Sequence, residues 1–209
     1  MAIRAVCFDI GGVVARISYH WAEMLERAGY SVPDYISPAD PVTAMPGFEA
    51  FQDGTITTIE YATRLGEYLG GLSADEALRI HNSMLVEPFA GVLEIVHDLN
   101  GRGFVTGCLS NTNAPHWEDL AKSGRFPAIV AMQVQLASFA IDASKPDPRA
   151  FAAFETAAGS SPSEVILFDD SLLNVQAAEG LGWSAVLIDP HGDPASQTLE
   201  ALRGRGILS

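Results

Sequence analysis

A chain of 209 residues has room for one domain, or for one domain carrying a modest insert. A hydrophobic fraction of 48% and a charged fraction of 18% exclude wholesale disorder. The 12 Lys+Arg stand against 26 Asp+Glu, and the net charge of −14 disfavours nucleic acid and anionic membranes, which bind mainly through basic side chains. A small anionic ligand stays admissible, because one local cation and a metal invert the local potential.

In chain order, residues 1–8 carry one cation and only a short apolar run, which is no convincing signal peptide. No stretch reaches the ~18 apolar residues of a membrane span. Cys7 and Cys108 are too few for a disulfide framework and both lie in apolar runs, so two buried thiols and a soluble, cytoplasmic setting are expected. Residues 3–8 read as a buried strand that runs into Asp9 and the Gly11-Gly12 loop. The texture then changes. Trp21, Leu25 and Ala28 stand at helical spacing up to Gly29, and Pro33, Pro38, Pro41 and Pro46 mark a loop. Thr57-x-x-Glu60 and Ser73-x-x-Glu76 are capping-box patterns. They precede the helical stripes Tyr61, Leu65, Leu69 and Ala77, Ile80, Leu85. No strand is evident between Ser18 and Val86. Residues 15–87 are therefore expected to form a helical insert, with Asp53-Gly54 as a turn inside it.

From Pro88 onward helices and strands alternate. Val92, Leu93, Val96 and Leu99 make a helical stripe closed by Gly101 and Gly103, and residues 104–109 form a strand. A polar loop, Ser110 to Asn113, leads to a helix around 116–123, followed by an apolar run at 128–132. A helix over 149–158 precedes Ser161-Pro162-Ser163-Glu164, a cap signature with room for a single turn only, because residues 165–168 form a strand. A helix over 173–181 and a strand over 184–188 follow. This alternation implies an α/β fold, a parallel sheet with helices on both faces. The core is expected at 1–14 and 88–209.

In open α/β sheets, ligands bind beyond the carboxyl ends of the strands. The residues placed there are Asp9, then Ser110 and Asn111, then Asp169 and Asp170, with Lys145 in a loop just before a helix. Taken singly, a strand-terminal Asp is a common turn residue, Ser-Asn a common cap and Lys-Pro a common surface loop. Adjacent aspartates are harder to explain structurally, because like charges disfavour each other unless a cation is near. Taken together the set suits phosphoryl transfer. A carboxylate serves as nucleophile, hard oxygens hold Mg²⁺, and a hydroxyl and a lysine hold the phosphate.

Four segments carry a family resemblance: Phe8-Asp9-Ile10-Gly11-Gly12-Val13-Val14, Leu109-Ser110-Asn111-Thr112, Ser144-Lys145-Pro146-Asp147-Pro148, and Phe168-Asp169-Asp170-Ser171-Leu172-Leu173-Asn174-Val175. In this order they resemble the haloacid dehalogenase-like hydrolase superfamily along essentially the whole chain. The resemblance implies a Rossmann-like core with a helical cap inserted after the first strand. It implies a Mg²⁺-dependent phosphatase that acts on a small phosphorylated metabolite through a phosphoaspartate. By the same resemblance Asp9 is the nucleophile, Ser110 and Asn111 are phosphate ligands, and Lys145 neutralises the phosphoaspartate. Asp9, the Gly11 carbonyl and Asp170 would hold the metal, with Asp169 as a supporting carboxylate.

One position departs from the pattern. Most phosphatases of the superfamily carry a general acid/base Asp two residues after the nucleophile, and here Gly11 stands there. Sugar-phosphatase-like members share this Asp-x-Gly pattern. Two substitutes for the acid are open: His116, six residues after Ser110, whose unperturbed imidazole pKa near 6.5 suits the task and whose other reading is a solvated histidine at a helix start, and a metal-bound or bulk water, which would give slow turnover. Two further functions compete. A 2-haloacid dehalogenase would use Asp9 without a metal, which leaves Asp170 unexplained, and a binding or regulatory protein would explain Gly11 but not the charge cluster.

Overall fold

Residues 2–209 are described by a computed structural model; Met1, the first residue of the expected core, lies outside them. Strand β1 (Ala5–Phe8) is enclosed on both faces. Its side chains alternate between two cores, Val6 and Phe8 in one and Ala5 and Cys7 in the other, as a period of two requires. The chain then makes strand β2 (Ala15–Ile17), helices α1 (Trp21–Arg27), α2 (Phe48–Gln52), α3 (Thr58–Tyr68) and α4 (Ala74–Asn82), and strand β3 (Leu85–Pro88). After it come α5 (Val92–Gly101), β4 (Val105–Ser110), α6 (Ala114–Lys122), α7 (Pro127–Ala131), β5 (Val134–Ala137), α8 (Ser138–Ile141), α9 (Pro148–Ala158), β6 (Val165–Asp169), α10 (Leu172–Gly180), β7 (Ser184–Leu187) and α11 (Pro194–Gly204).

Five strands form one parallel sheet in the order β5-β4-β1-β6-β7. Phe8, Cys108 and Phe168 on one face pack with α5, α7 and α11 through Val96, Leu99, Ile129 and Leu202. Cys7, Leu109 and Leu167 on the other face meet Phe151 and Phe154 of α9 and Ala178 of α10. The chain leaves β1 toward β4 and β5 on one side and later toward β6 and β7 on the other. The carboxyl end of β1 is thus the switch point where the loops part and leave a crevice.

Helices α1–α4 build a third core, with Trp21, Leu25, Phe51, Tyr61, Leu65 and Ile80 buried. Thr57 and Ser73 cap α3 and α4 as expected, and Ser73 and Glu76 complete a reciprocal capping box. The segment enters and leaves through β2 and β3, which pair antiparallel.

Three elements differ from the sequence reading. Leu85 begins β3 instead of continuing α4, because the helix ends at Asn82 and the Ser83 hydroxyl bonds the Ile80 and Met24 carbonyls. The apolar run at 128–132, to which no element was assigned, falls largely in α7, which starts on Pro127, and the strand at the sheet edge is the following one, β5. Helix α11 was not signalled by apolar spacing, although Asp193 and Pro194 are an N-cap and a first-turn proline. The cap signature at Ser161 serves one 3₁₀ turn. Among the described residues no helix is long and apolar enough to cross a membrane.

Candidate active site

Ser110 and Asp169 are the last residues of β4 and β6, and Asp9 follows β1 directly. The three strands are neighbours, so residues 160 positions apart in sequence share one edge. Lys145 arrives from the loop before α9. Its ammonium donates to Asp9 Oδ1 and to Asp169 Oδ2, both at 2.6 Å. The lysine side chain is 1% exposed and that of Asp169 0%, so this pairing is shielded from solvent. Burial works against the lysine charge, but Asp169 and Asp9 outweigh it and raise the ammonium pKa. Burial pushes the Asp9 carboxyl up, Lys145 pulls it down, and Asp169 and Asp170 push it up further.

Asp9, Asp169 and Asp170 have carboxylate oxygens within 4.8 Å of one another. Their roles are unequal. Asp169 also accepts from the Ser171 N–H at 2.9 Å and from Asn174 Nδ2 at 3.0 and 3.2 Å, so both its oxygens are occupied. Asp9 keeps Oδ2 without a partner among the described residues, and Asp170 turns one oxygen to the Tyr19 hydroxyl at 2.9 Å. Three carboxylates against one ammonium leave an excess of two negative charges when all are ionised. That is the charge of one divalent cation, and hard oxygens are the donors such a cation takes. The Gly11 carbonyl accepts no hydrogen bond among the described residues. The donor set therefore fits a divalent metal at Asp9 and Asp170, with Asp169 holding the lysine.

Glycine is required at position 12. Its φ is +75°, and a Cβ there would stand 2.5 Å from Asp170 Oδ2 and 2.9 Å from the Tyr19 hydroxyl. At position 11 a Cβ would lie 3.9 Å from Asp9 Oδ2 and 2.9 Å from Ile17 Cδ1. The place of the missing acid thus overlooks Asp9, and the apolar end of Ile17 fills part of it.

The Ser110 side chain is buried at the same edge, with no hydrogen-bond partner for its hydroxyl among the described residues. Asn111, expected on the phosphate, is spent differently. Its Nδ2 donates to the Lys145 carbonyl at 2.7 Å and its Oδ1 accepts from the Lys145 N–H at 2.8 Å. Its side chain fixes the lysine loop.

His116 corrects both readings made of it. It is 3% exposed, so it is not solvated. Its Nε2 meets the His81 carbonyl at 3.1 Å and its Nδ1 meets Asn113 Nδ2 at 3.2 Å. Both nitrogens are committed within the join between α4 and α6, and burial lowers the pKa to about 4. Such a ring presents no free N–H to a leaving group.

Tyr19 and Asn174 are the residues that sequence reasoning missed. Asn174 lay inside the last motif, one turn into α10. Tyr19 had no signal, because its partner Asp170 is 151 positions away. A cavity of about 240 Å³ lies beside Lys145, between it and the carboxyl end of α2. A second, of about 270 Å³, opens on the other side of Gly12 and Tyr19. A groove of about 610 Å³ between α5 and α11 contains none of these residues.

Comparison with known proteins agrees with this geometry. Residues 3–182 match the family described as haloacid dehalogenase-like hydrolase. A curated relative, Phosphatase MT3486 of Mycobacterium tuberculosis, is 25% identical over all of this chain and 97% of its own length. A predicted HAD-like hydrolase of Porphyromonas gingivalis superposes with a TM-score of 0.77 at 26% identity, covering 97% of this chain and 99% of that one. A HAD family enzyme of Bacteroides thetaiotaomicron, solved as a magnesium complex, has a TM-score of 0.75 at 24% identity over 92% of this chain and 96% of its own.

Proposed function

From the premise that the chain belongs to the haloacid dehalogenase-like hydrolase family, we propose that it is a Mg²⁺-dependent phosphatase acting on a small phosphorylated metabolite, with Asp9 as the covalent nucleophile. The observation that carries this reading is the buried Asp9–Lys145–Asp169 triangle with Asp170 alongside, at the switch point of the sheet. The relative named as a phosphatase and the neighbour solved with magnesium support it.

Asp9 Oδ2, the oxygen without a partner among the described residues, attacks phosphorus. The bond from phosphorus to the leaving oxygen breaks and its electron pair goes to that oxygen. Ser110 and Lys145 hold the phosphoryl oxygens, and Asp169 keeps the ammonium in place. Bound at Asp9, Asp170 and the Gly11 carbonyl, Mg²⁺ would offset the repulsion between the carboxylate and the phosphate. Water then attacks phosphorus, which frees Asp9 and releases phosphate. Gly11 supplies no proton and His116 is committed elsewhere, so water protonates the leaving alkoxide. Aryl phosphates, whose leaving groups need no proton, are therefore turned over faster than alkyl ones. Halide displacement needs no metal, and it would leave the two negative charges that Lys145 does not offset without a counter-charge.

The test is turnover of p-nitrophenyl phosphate with Mg²⁺ and with EDTA, by wild type and by Asp9→Asn. Turnover should require the metal and be lost in the variant. Metal-independent turnover, or an Asp9→Asn variant keeping more than about a tenth of kcat, roughly 1.4 kcal/mol of barrier, contradicts the proposal.

A further inference from the structure

The cavity beside Lys145 carries information on the leaving group. On the side of the helical segment it is lined by Thr43, Phe48, Glu49, Gln52 and Asp53. This end of α2 is fastened to the sheet-edge loops. The Ser138 hydroxyl donates to the Gln52 carbonyl at 2.7 Å, and the Ser144 hydroxyl donates to Asp53 Oδ1. Ser144 adjoins Lys145, whose ammonium touches the Asp9 carboxylate. Asp9 itself does not line the cavity; the two share Lys145, which lines the cavity and pairs with the Asp9 carboxylate.

Its charge is one-sided. Among the described residues Lys145 is the only cation on its wall, and that ammonium already sits between Asp9 and Asp169 at 2.6 Å from each. The Glu49 carboxylate has no hydrogen-bonding or ionic partner among the described residues, while its backbone carbonyl accepts from the Asp53 N–H. Hydroxyl, amide and carboxylate groups thus face a ligand with no uncommitted positive charge beside them. A negatively charged leaving group would meet Glu49 and Asp53 without compensation. Hydroxyl or ammonium donors would be accepted by them.

The other cavity carries the Arg16 guanidinium, with the His20 and His191 rings and the Glu23 carboxylate on the same wall. Its wall toward the carboxylates is Gly12 and Tyr19, and these are the groups packed against Asp170. Asp9 does not line this cavity, and neither does Lys145.

We propose that the protein selects phosphomonoesters whose leaving group carries hydrogen-bond donors and no negative charge, and that Glu49 on α2 sets this selection. The proposal rests on the phosphatase reading above. Its test uses two substrates that differ only by a hydroxymethyl group in place of a carboxylate, glycerol 3-phosphate and 3-phosphoglycerate, with p-nitrophenyl phosphate as the reference. With Mg²⁺, wild-type kcat/KM should favour glycerol 3-phosphate by about tenfold or more, and Glu49→Lys should shrink or reverse that ratio. The ratio is taken within each variant, so any loss of folded protein cancels. Turnover of p-nitrophenyl phosphate together with equal or better use of 3-phosphoglycerate overturns the selection and leaves the phosphatase reading standing. So does a ratio that Glu49→Lys leaves unchanged while Arg16→Ala moves it. Absence of p-nitrophenyl phosphate turnover overturns the phosphatase reading and the selection with it.

Discussion

At the sheet edge Lys145, Asp9 and Asp169 bring formal charges into a buried setting, whereas the buried polar groups between α4 and α6 are neutral and satisfy one another. In the second cluster the His81 and His116 rings stack at 4.1 Å. The partners fix the tautomers. His116 Nε2 faces the His81 carbonyl, so it carries the proton and Nδ1 accepts from Asn113. Asn113 Nδ2 also reaches His81 Nε2 at 3.1 Å, which leaves His81 Nδ1 to donate to the Tyr61 hydroxyl at 3.1 Å. Asn113 Oδ1 caps α6 through the His116 N–H. Every ring nitrogen is used. The first cluster has the opposite character, with surplus negative charge and open oxygens on Asp9 and Asp170. Burial alone therefore does not mark chemistry; incomplete compensation does.

The sharpest way to break this contrast is to unbalance the charged cluster. Lys145→Met leaves Asp9 and Asp169 buried without their cation. Phosphate release should fall by about 10³-fold or more, and Tm should drop in EDTA and recover in part with Mg²⁺, which supplies positive charge. A variant more stable than wild type in EDTA would show that the cluster is not held by charge.

His116→Ala should do the reverse, losing about 2–4 kcal/mol of stability and changing turnover little. The ratio of alkyl to aryl phosphate turnover should stay within about threefold of wild type, well short of the 10²–10⁴ that an acid contributes. A selective loss on alkyl phosphates would return His116 to the reaction.

The pH dependence follows from the same rings. Burial lowers the His116 pKa to about 4 and depresses that of His81 as well. The unfolded chain then binds protons that the folded chain refuses, so this contribution to stability is present above about pH 6.5 and is lost as the pH falls from there toward 4. Tm measured across that window should fall, less steeply in His116→Ala. A Tm that rises on acidification through this range would mean that the histidines are paired as cations.

The smallest effect is expected at the link between the helical segment and the metal-binding carboxylate. Burial and the nearby Asp170 raise the Tyr19 pKa, so its hydroxyl stays protonated and donates to Asp170. Tyr19→Phe should weaken Mg²⁺ binding up to about tenfold by calorimetry with Tm nearly unchanged. Unaltered affinity would show that Asp170 needs no such support.

Much of the sheet was legible because β1, β4 and β6 are short apolar runs that end in polar residues, a pattern that one chain position after another reveals. The carboxylates, Ser110 and Lys145 were found through that edge. What stayed hidden was set by contacts distant in sequence. The β2–β3 pair is too short for a period of two to show, and Tyr19 depends on a partner that only the fold supplies. Asn111 and His116 were placed at the correct edge. Their partners, the Lys145 backbone and His81, decide what they do, and neither adjoins them in sequence.

The most direct test of the central claim is the covalent state of Asp9 during turnover. Tryptic cleavage after Arg4 and Arg16 isolates residues 5–16, which contain Asp9. Acid-quenched wild-type protein turning over p-nitrophenyl phosphate with Mg²⁺ should yield this peptide heavier by one phosphoryl group, with the modification on Asp9 and absent in EDTA. Steady turnover with the peptide unmodified throughout, or with the phosphoryl group on another residue, would contradict the account.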